Sequence, residues 1–461
     1  MKKYENLYFG IAKDVITPSM PMPMIGFASM FGTEFTDIHD DLFVRTLVLR
    51  DEDGETVILV SYDLLFHDDS LPDTLREYIG RKYGIPGRNL HVNYTHTHFG
   101  PAVKGYDFVW YTDEYEEFLI NRSKAAIDRA LLCMRKGTLK YASICGEWNI
   151  SRRLSVDGEI MLRPNPDGEC DKELYLMKLE DENGKMRALA LNFACHPSNL
   201  SSYTVLSSEY PGRLCQRIEG EFYGTTAIFF QGFGADAKLR IGATKTQRFT
   251  GISYDDCDEV AQAMLQRIKN QLISGEWKTT PVKLGSDVFC VNLPLEVFSR
   301  EHYLQHRRDF TRDDSERFAP VPGKPDSAEE NVNNFWLAHS DYILDNYDSL
   351  PNELILNCGV IRINPDFYVF SMGGEPGCNI AAVLRESFPD KEIIFLGYNN
   401  AIAYIPSDKM IAEGGYEAGG RSIEEYCLKG SIKPGVNDIF INGYSDAISR
   451  IESNKAGRKE K

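Results

Sequence analysis

Leu90-His91-Val92-Asn93-Tyr94-Thr95-His96-Thr97-His98-Phe99-Gly100-Pro101 is the stretch whose alternation decides the fold class of this chain. Leu90, Val92 and Tyr94 alternate with polar residues, the period of a strand with one face buried, and side chains two apart on a strand point the same way. His96 and His98 are therefore expected to continue that face as imidazoles. Gly100-Pro101 then turns the backbone away and leaves both rings at a strand tip, open to a ligand. Two imidazoles on one strand face hold no packing advantage over apolar side chains, so the pattern points to catalysis or to a metal.

Strand and helix signals alternate outward from this stretch through most of the 461 residues. Residues 43–49 and 56–61, both rich in Val and Leu, flank the turn Asp51-Glu52-Asp53-Gly54 and read as a hairpin. A helix is expected over 114–135, where Leu119, Ala126, Ala130 and Cys133 have helical spacing. A second is expected over 255–273, where Val260, Met264, Ile268 and Leu272 recur every four residues. Further strands are expected at 174–179, 188–195, 226–230, 358–363, 367–371 and 392–396. This alternation predicts an α/β layered domain with a central mixed β-sheet flanked by helices and its site at the strand ends. No internal repeat is present, and one domain over 1–452 is expected. Within it, 300–350 is dense in charge and interrupted by Pro320, Pro322, Gly323 and Pro325, the mark of a surface insertion or a lid. The polar segment 453–461 reads as a disordered tail.

Composition narrows the function classes. Lys plus Arg number 51 against 68 Asp plus Glu, a net charge of −17 that argues against nucleic acid or an anionic membrane surface as the main partner. No apolar run approaches the ~20 residues of a spanning helix, so no stable membrane insertion is expected. Met1-Lys2-Lys3-Tyr4-Glu5-Asn6 has no apolar segment of the secretory type. Ten cysteines are scattered singly without a CxxC pair, which fits reduced thiols in a cytoplasmic protein.

Four expected strands end in a reactive group just before a turn. After His96 and His98 comes Ala194-Cys195-His196-Pro197. Phe229-Phe230-Gln231-Gly232-Phe233-Gly234-Ala235-Asp236 then opens an apolar strand into a glycine loop that carries an aspartate, and Ser371-Met372-Gly373-Gly374-Glu375-Pro376-Gly377 sets a carboxylate in a glycine-rich turn. Ligands of open α/β sheets bind outside the carboxyl ends of strands, so these tips can converge although they are distant in sequence. Imidazoles plus one carboxylate are a common catalytic zinc set with a position open for water. Each residue also has a plainer reading. A lone strand-end histidine such as His196 is ordinarily a hydrogen-bonded surface residue, Glu375 in its turn ordinarily a solvated carboxylate, and Asp236 equally a cap for a helix after its loop. Among the remaining histidines His39, in Ile38-His39-Asp40-Asp41-Leu42, is the candidate site neighbour.

These blocks resemble the neutral/alkaline non-lysosomal ceramidases, specifically their amino-terminal catalytic domain. The resemblance rests on Gly10 to Pro18 with Gly26-Phe27, then Ile38 to Leu49 with Asp63, Thr95 to Pro101, Asn149 to Arg153, His196, Gln231 to Asp236, Glu375, and Tyr404 to Tyr416, in the family's order. Thr-His-Thr-His-x-Gly-Pro is the most specific block. By position, the resemblance implies Zn2+ bound by His96, His196, Glu375 and Tyr416, the last in Gly414-Gly415-Tyr416-Glu417-Ala418-Gly419. It further implies His98 as the group that takes or gives a proton, Arg152 orienting the substrate with Arg153 as neighbouring alternative, and Tyr404 near the substrate pocket. The chain departs from the family at Asp236-Ala237-Lys238, where ceramide-active members carry a serine. Lysine is no acylation surrogate unless its pKa is strongly depressed, so attack by zinc-activated water is the expected route, with Lys238 donating to an oxyanion or pairing with an acidic substrate. Neither the family's carboxy-terminal sandwich domain nor its signal peptide is expected from these residues. The resemblance therefore implies a zinc-dependent amidohydrolase that cleaves a small or lipid-like N-acyl substrate. The alternative is a zinc-binding pseudoenzyme, or ligand-binding protein, that lost turnover with the serine.

Overall fold

The hairpin around Asp51 forms as expected: Phe43–Arg50 pairs antiparallel with Thr56–Tyr62, Thr46 opposite Val60. It belongs to a mixed sheet whose strands run in the order Thr226–Gln231, Met186–Phe193, Glu173–Asp181, Arg135–Cys145, Leu7–Val15, Phe43–Arg50, Thr56–Tyr62, Leu90–Tyr94. The computed structural model describes residues 7–105, 109–279, 281–310, 327–400, 403–419 and 427–456. The helix expected over 114–135 spans Asp113–Leu132, started by Thr112, whose hydroxyl accepts the Tyr115 N–H; Arg135 already opens the next strand. The second expected helix spans Tyr254–Ser274 and begins in a reciprocal Ser253–Asp256 capping box.

The class expected from the sequence, mixed α/β with a large mixed sheet and flanking helices, is borne out, and the structure adds a second sheet. This sheet runs Glu392–Leu396, Phe367–Met372, Glu353–Asn364, Gly285–Val297, Gly430–Ile432. Leu47, Leu49, Val57, Leu59, Ile228 and Phe230 of the first sheet pack on Ile361, Ile363, Phe367, Val369, Ile394 and Leu396 of the second. The outer face of the first carries the helices Ser70–Tyr83, Asp113–Leu132, Glu209–Glu221 and Tyr254–Ser274. The outer face of the second carries Cys378–Ser387 and Val436–Ala456. The result is a helix–sheet–sheet–helix sandwich. Strands buried on both faces read as continuous apolar runs, and Thr56–Tyr62 is buried at every residue.

Three strand–helix–strand units aim their carboxyl ends at one place. Thr56–Tyr62 and Leu90–Tyr94 are parallel neighbours joined through Ser70–Tyr83; Met186–Phe193 and Thr226–Gln231 are joined through Glu209–Glu221, and Phe367–Met372 and Glu392–Leu396 through Cys378–Ser387. Buried asparagines clamp the tips. Asn93 donates to Gln231 O at 3.1 Å and Gly397 O at 2.6 Å while its Oδ1 accepts Gln231 N–H at 2.8 Å. Asn192 donates to Phe230 O and Phe395 O at 3.0 and 2.8 Å. Each amide thus ties its own strand end to the carbonyls of two others.

The 300–350 segment contributes the helices Arg300–Phe310 and Ala328–Asn346, with 311–326 outside the described residues. Asn331 of the second donates to Ser29 O at 2.9 Å, and its helix lies over the segment Ala28–Met30. The last helix spans Val436–Ala456 and so takes in the first four residues of the expected tail, and 457–461 lie outside the described residues.

Candidate metal centre

The strand Leu90–Tyr94 stops two residues before His96, which corrects the expectation that His96 and His98 share a strand face. Thr95 N–H donates to Tyr62 O at 2.8 Å and His96 N–H to Leu64 O at 2.9 Å, and His96 adopts φ of +65°. A left-handed conformation is uncommon outside glycine and marks a residue whose surroundings over-determine it. It swings the His96 ring into the cluster, where the next turn also brings His98.

Hydrogen bonds set the tautomers. His96 Nδ1 donates to Leu65 O at 2.8 Å and His98 Nδ1 donates to Gly26 O, so both Nε2 lone pairs face inward. His98 Nε2 lies 2.7 Å from His196 Nε2, which donates to it in this network. His196 Nδ1 is then also a lone pair. Glu375 Oε2 stands 3.2 Å from His96 Nε2 and 3.7 Å from His196 Nδ1. His96 Nε2 is buried without a hydrogen-bond partner. One ring nitrogen from each of His96, His98 and His196 can be chosen within 4.8 Å of the others, the group among the described residues with metal-ligand spacing. Nδ1–H bonded to a backbone carbonyl with the other nitrogen orphaned is how metal-ligating imidazoles are oriented, so the donor set fits a divalent metal. Burial pushes both His98 and His196 well below the usual histidine range, so both are neutral and able to ligate.

A cavity of about 270 Å³ opens on this cluster, lined by His96, His98, His196, Glu375, Arg152, Lys238, Tyr404, Tyr416 and Ser198 among polar residues and by Ile25, Phe27, Leu65, Leu162 and Phe335 among apolar ones. Eight of the residues singled out from the sequence thus meet at one cavity. Tyr404 pairs with Glu375 in a short parallel bridge and stacks on His196 at 6.5 Å; Tyr416 meets Tyr404 at 5.3 Å. The Arg152 guanidinium lies 5.5 and 5.4 Å from the Tyr404 and Tyr416 rings. Lys238, half-buried, donates to Ser198 O at 3.1 Å; burial first, then the Arg152 charge, push its pKa down to about 8.

Three expected site residues do not line the cavity. Asp236 is buried behind it, its Oδ1 accepting Cys378 N–H at 2.9 Å and its Oδ2 accepting Cys378 Sγ–H at 3.0 Å. It satisfies the first turn of Cys378–Ser387, the helix that follows Glu375, whose Gly377 N-cap has no side chain to do so. Arg153 is consumed by Glu417 Oε2 at 2.7 Å, Glu413 Oε2 at 3.2 Å and Gly414 O at 2.8 Å, which makes it a brace of the tyrosine loop. His39 stacks on Tyr254 at 3.7 Å and pairs with Asp40 at 2.8 Å.

Sequence reading missed Tyr398 and Glu417. Tyr398, at φ of +55°, packs its ring 4.4 Å from that of His96, with its hydroxyl 3.5 Å from His196 Nδ1. It follows the strand Glu392–Leu396 through Gly397, the same strand-then-glycine signal that marked Asp236 and Glu375. Glu417 holds Arg152 Nε and Arg153 Nη1 at 2.7 Å each. No pattern in its own loop marks it; its role comes from arginines more than 260 positions away.

Imidazoles and a carboxylate gathered at strand carboxyl ends, above two packed sheets, define a mixed α/β protein with a metal-type donor set. Its fold is that of the neutral ceramidases. The crystal structure of neutral ceramidase from Pseudomonas aeruginosa matches with a TM-score of 0.70 over 97% of this chain and 75% of that chain, at 15% sequence identity. A ceramidase complexed with C2 matches at 0.68, over 95% of this chain and 74% of that one, again at 15% identity. No family model matches the sequence. The ceramidase resemblance read from the sequence blocks is therefore borne out as a likeness of fold. Among the described residues no helix is long and apolar enough to cross a membrane.

Proposed function

We propose that this protein is a zinc-dependent amidohydrolase acting on an N-acyl substrate. The observation that carries the reading is the buried His96 Nε2, without a hydrogen-bond partner and 3.2 Å from Glu375 Oε2, in a cavity that His196 also lines. His96 Nε2, His196 Nδ1 and Glu375 would hold the metal, with Tyr416 supplying the fourth ligand from the cavity wall. When bound, zinc lowers the pKa of water toward ~7 and polarises a carbonyl. The protein's own groups do the rest. His98, neutral and half-buried at the cavity, takes a proton and returns it to the leaving amine. Arg152, locked by Glu417, presents its charge to the substrate carbonyl beside Tyr404. Phe27, Leu65 and Phe335 receive the acyl chain, which makes 328–346 a cover for the site. Cysteines scattered singly along the sequence, without a CxxC pair, support a reducing compartment such as the cytoplasm.

Metal analysis of the purified protein should find about one zinc per chain, lost in the His96→Ala, His196→Ala double variant. Hydrolysis of a panel of N-acyl amines should stop on chelation and return with zinc. Absent zinc, or zinc that persists in the double variant, refutes the metal centre. Lys238 at the position where the family expects a hydroxyl favours the rival reading, a zinc-binding protein without turnover. Bound zinc with every acyl amide inert would select it.

A further inference from the structure

Lys238 stands on the strand Ala237–Leu239, paired with Ile150 of Asn149–Val156. Its neighbours Ala237 and Leu239 are buried, so strand alternation turns the lysine the other way, into the cavity. One of its three N–H donors goes to Ser198 O, and it makes no ion pair among the described residues. Arg152, the other cation on the wall, is held through Nε by Glu417 and is the group assigned above to the substrate carbonyl. Glu375 is the one carboxylate among the residues that line the cavity, and it faces the imidazoles. The cavity is thus a cationic recess in a chain of net charge −17. A recess of opposite sign to its surroundings draws in and orients anions. The apolar part of the wall is Ile25, Phe27, Leu65, Leu162 and Phe335.

We infer that Lys238 binds an anionic group on the substrate, and that the preferred class is an N-acyl amide whose amine half carries a carboxylate, an N-acyl amino acid. This rests on the hydrolase reading above. Hydrolysis of such a molecule consumes one water: the C–N bond breaks, the hydroxyl joins the acyl carbon, and the proton goes to the leaving nitrogen. The products are a carboxylic acid and a free amino acid, with no oxidation or reduction. The lysine in place of a hydroxyl is then a specificity determinant.

N-lauroylglycine and N-lauroylethanolamide share an acyl chain and differ in the carboxylate, so they test the inference directly. Wild-type kcat/KM should favour lauroylglycine by about 10- to 100-fold, the size of one charge-assisted contact. Lys238→Met should collapse that ratio toward one through a raised KM for lauroylglycine, and Lys238→Arg should keep it. Equal kcat/KM for the pair in wild type overturns the inference. So does a Lys238→Met variant that loses kcat on both substrates with the ratio intact, since Lys238 would then move a proton. If every acyl amide is inert, the hydrolase reading fails instead, and titration calorimetry with lauroylglycine decides the anion site. Binding at least about tenfold tighter to wild type than to Lys238→Met supports it, and equal binding overturns it.

Discussion

Replacing Glu417 by glutamine removes one negative charge from a place where two buried guanidinium groups meet it. Arg152 Nε and Arg153 Nη1 donate to different oxygens of Glu417 at 2.7 Å, with all three side chains buried. Burial alone pushes this carboxyl up, but the charges of Arg152 and Arg153 outweigh it and hold it below the ordinary range, so it is ionised at neutral pH. Glutamine keeps the shape and one acceptor but turns an N–H toward the second guanidinium. Breaking a buried ion pair from one side costs about 3–5 kcal/mol. Arg153 retains Glu413 Oε2 and Gly414 O, so the expected loss for Glu417→Gln lies at the low end, about 3 kcal/mol. Urea unfolding followed by tryptophan fluorescence should show a lower midpoint at unchanged slope. Adding Arg152→Met should restore about 1–2 kcal/mol by removing the cation left buried without its carboxylate partner. A loss under about 1 kcal/mol, or a double variant as unstable as the sum of the singles, would refute this account of the network.

Two further outcomes follow from the geometry. A Cβ on Gly26 would lie 1.9 Å from His98 O, and Gly26 O is the acceptor for His98 Nδ1, so Gly26→Ala should displace His98. Zinc affinity measured by chelator competition should drop about 10- to 100-fold, as when an outer partner of a ligand is lost; unchanged affinity would separate His98 from the metal centre. His91 lies buried between the two sheets, Nε2 2.7 Å from Ser286 Oγ and Nδ1 3.3 Å from Ser371 Oγ, and burial pushes its pKa down to about 3. The unfolded chain takes up this proton near pH ~6.5, so the stabilising difference is complete above that pH and declines as pH falls toward 3, by about 1.4 kcal/mol per unit. Between pH 7 and 5 the wild type should lose about 2 kcal/mol that His91→Gln does not; matching profiles would refute the assignment.

Where the sequence was readable, the signal was local. The hairpin at Asp51, the helix Tyr254–Ser274 with its Ser253–Asp256 box, and the strand Glu392–Leu396 each carry period and punctuation within a dozen or two residues. His96 and His98 were found by extending a strand period that ends at Tyr94; the residues were right and the backbone was not, because Thr95 and His96 bond to Tyr62 and Leu64 instead of continuing the ladder. Arg153 and His39 could not be told from cavity residues, since Glu417 and Tyr254, which occupy them, are far away in the chain. Asp236 was read with two roles, and a cap is what the structure makes of it, though for the helix after Glu375 and not for one after its own loop.

The sequence alone determined which side chains stand just past the strand tips, because strand period and Gly or Pro punctuation are properties of a few consecutive residues. Only the tertiary structure decided which tips meet and at what distance. Asn93 joins its own strand to Gln231, 138 positions on, and to Gly397, 304 positions on. The first contact joins the two end strands of one sheet and the second joins that sheet to the other, and no local pattern encodes which buried amide will bridge them. The same tertiary structure gathers His96, His196 and Glu375 and, around them, sets Lys238 on the cavity wall.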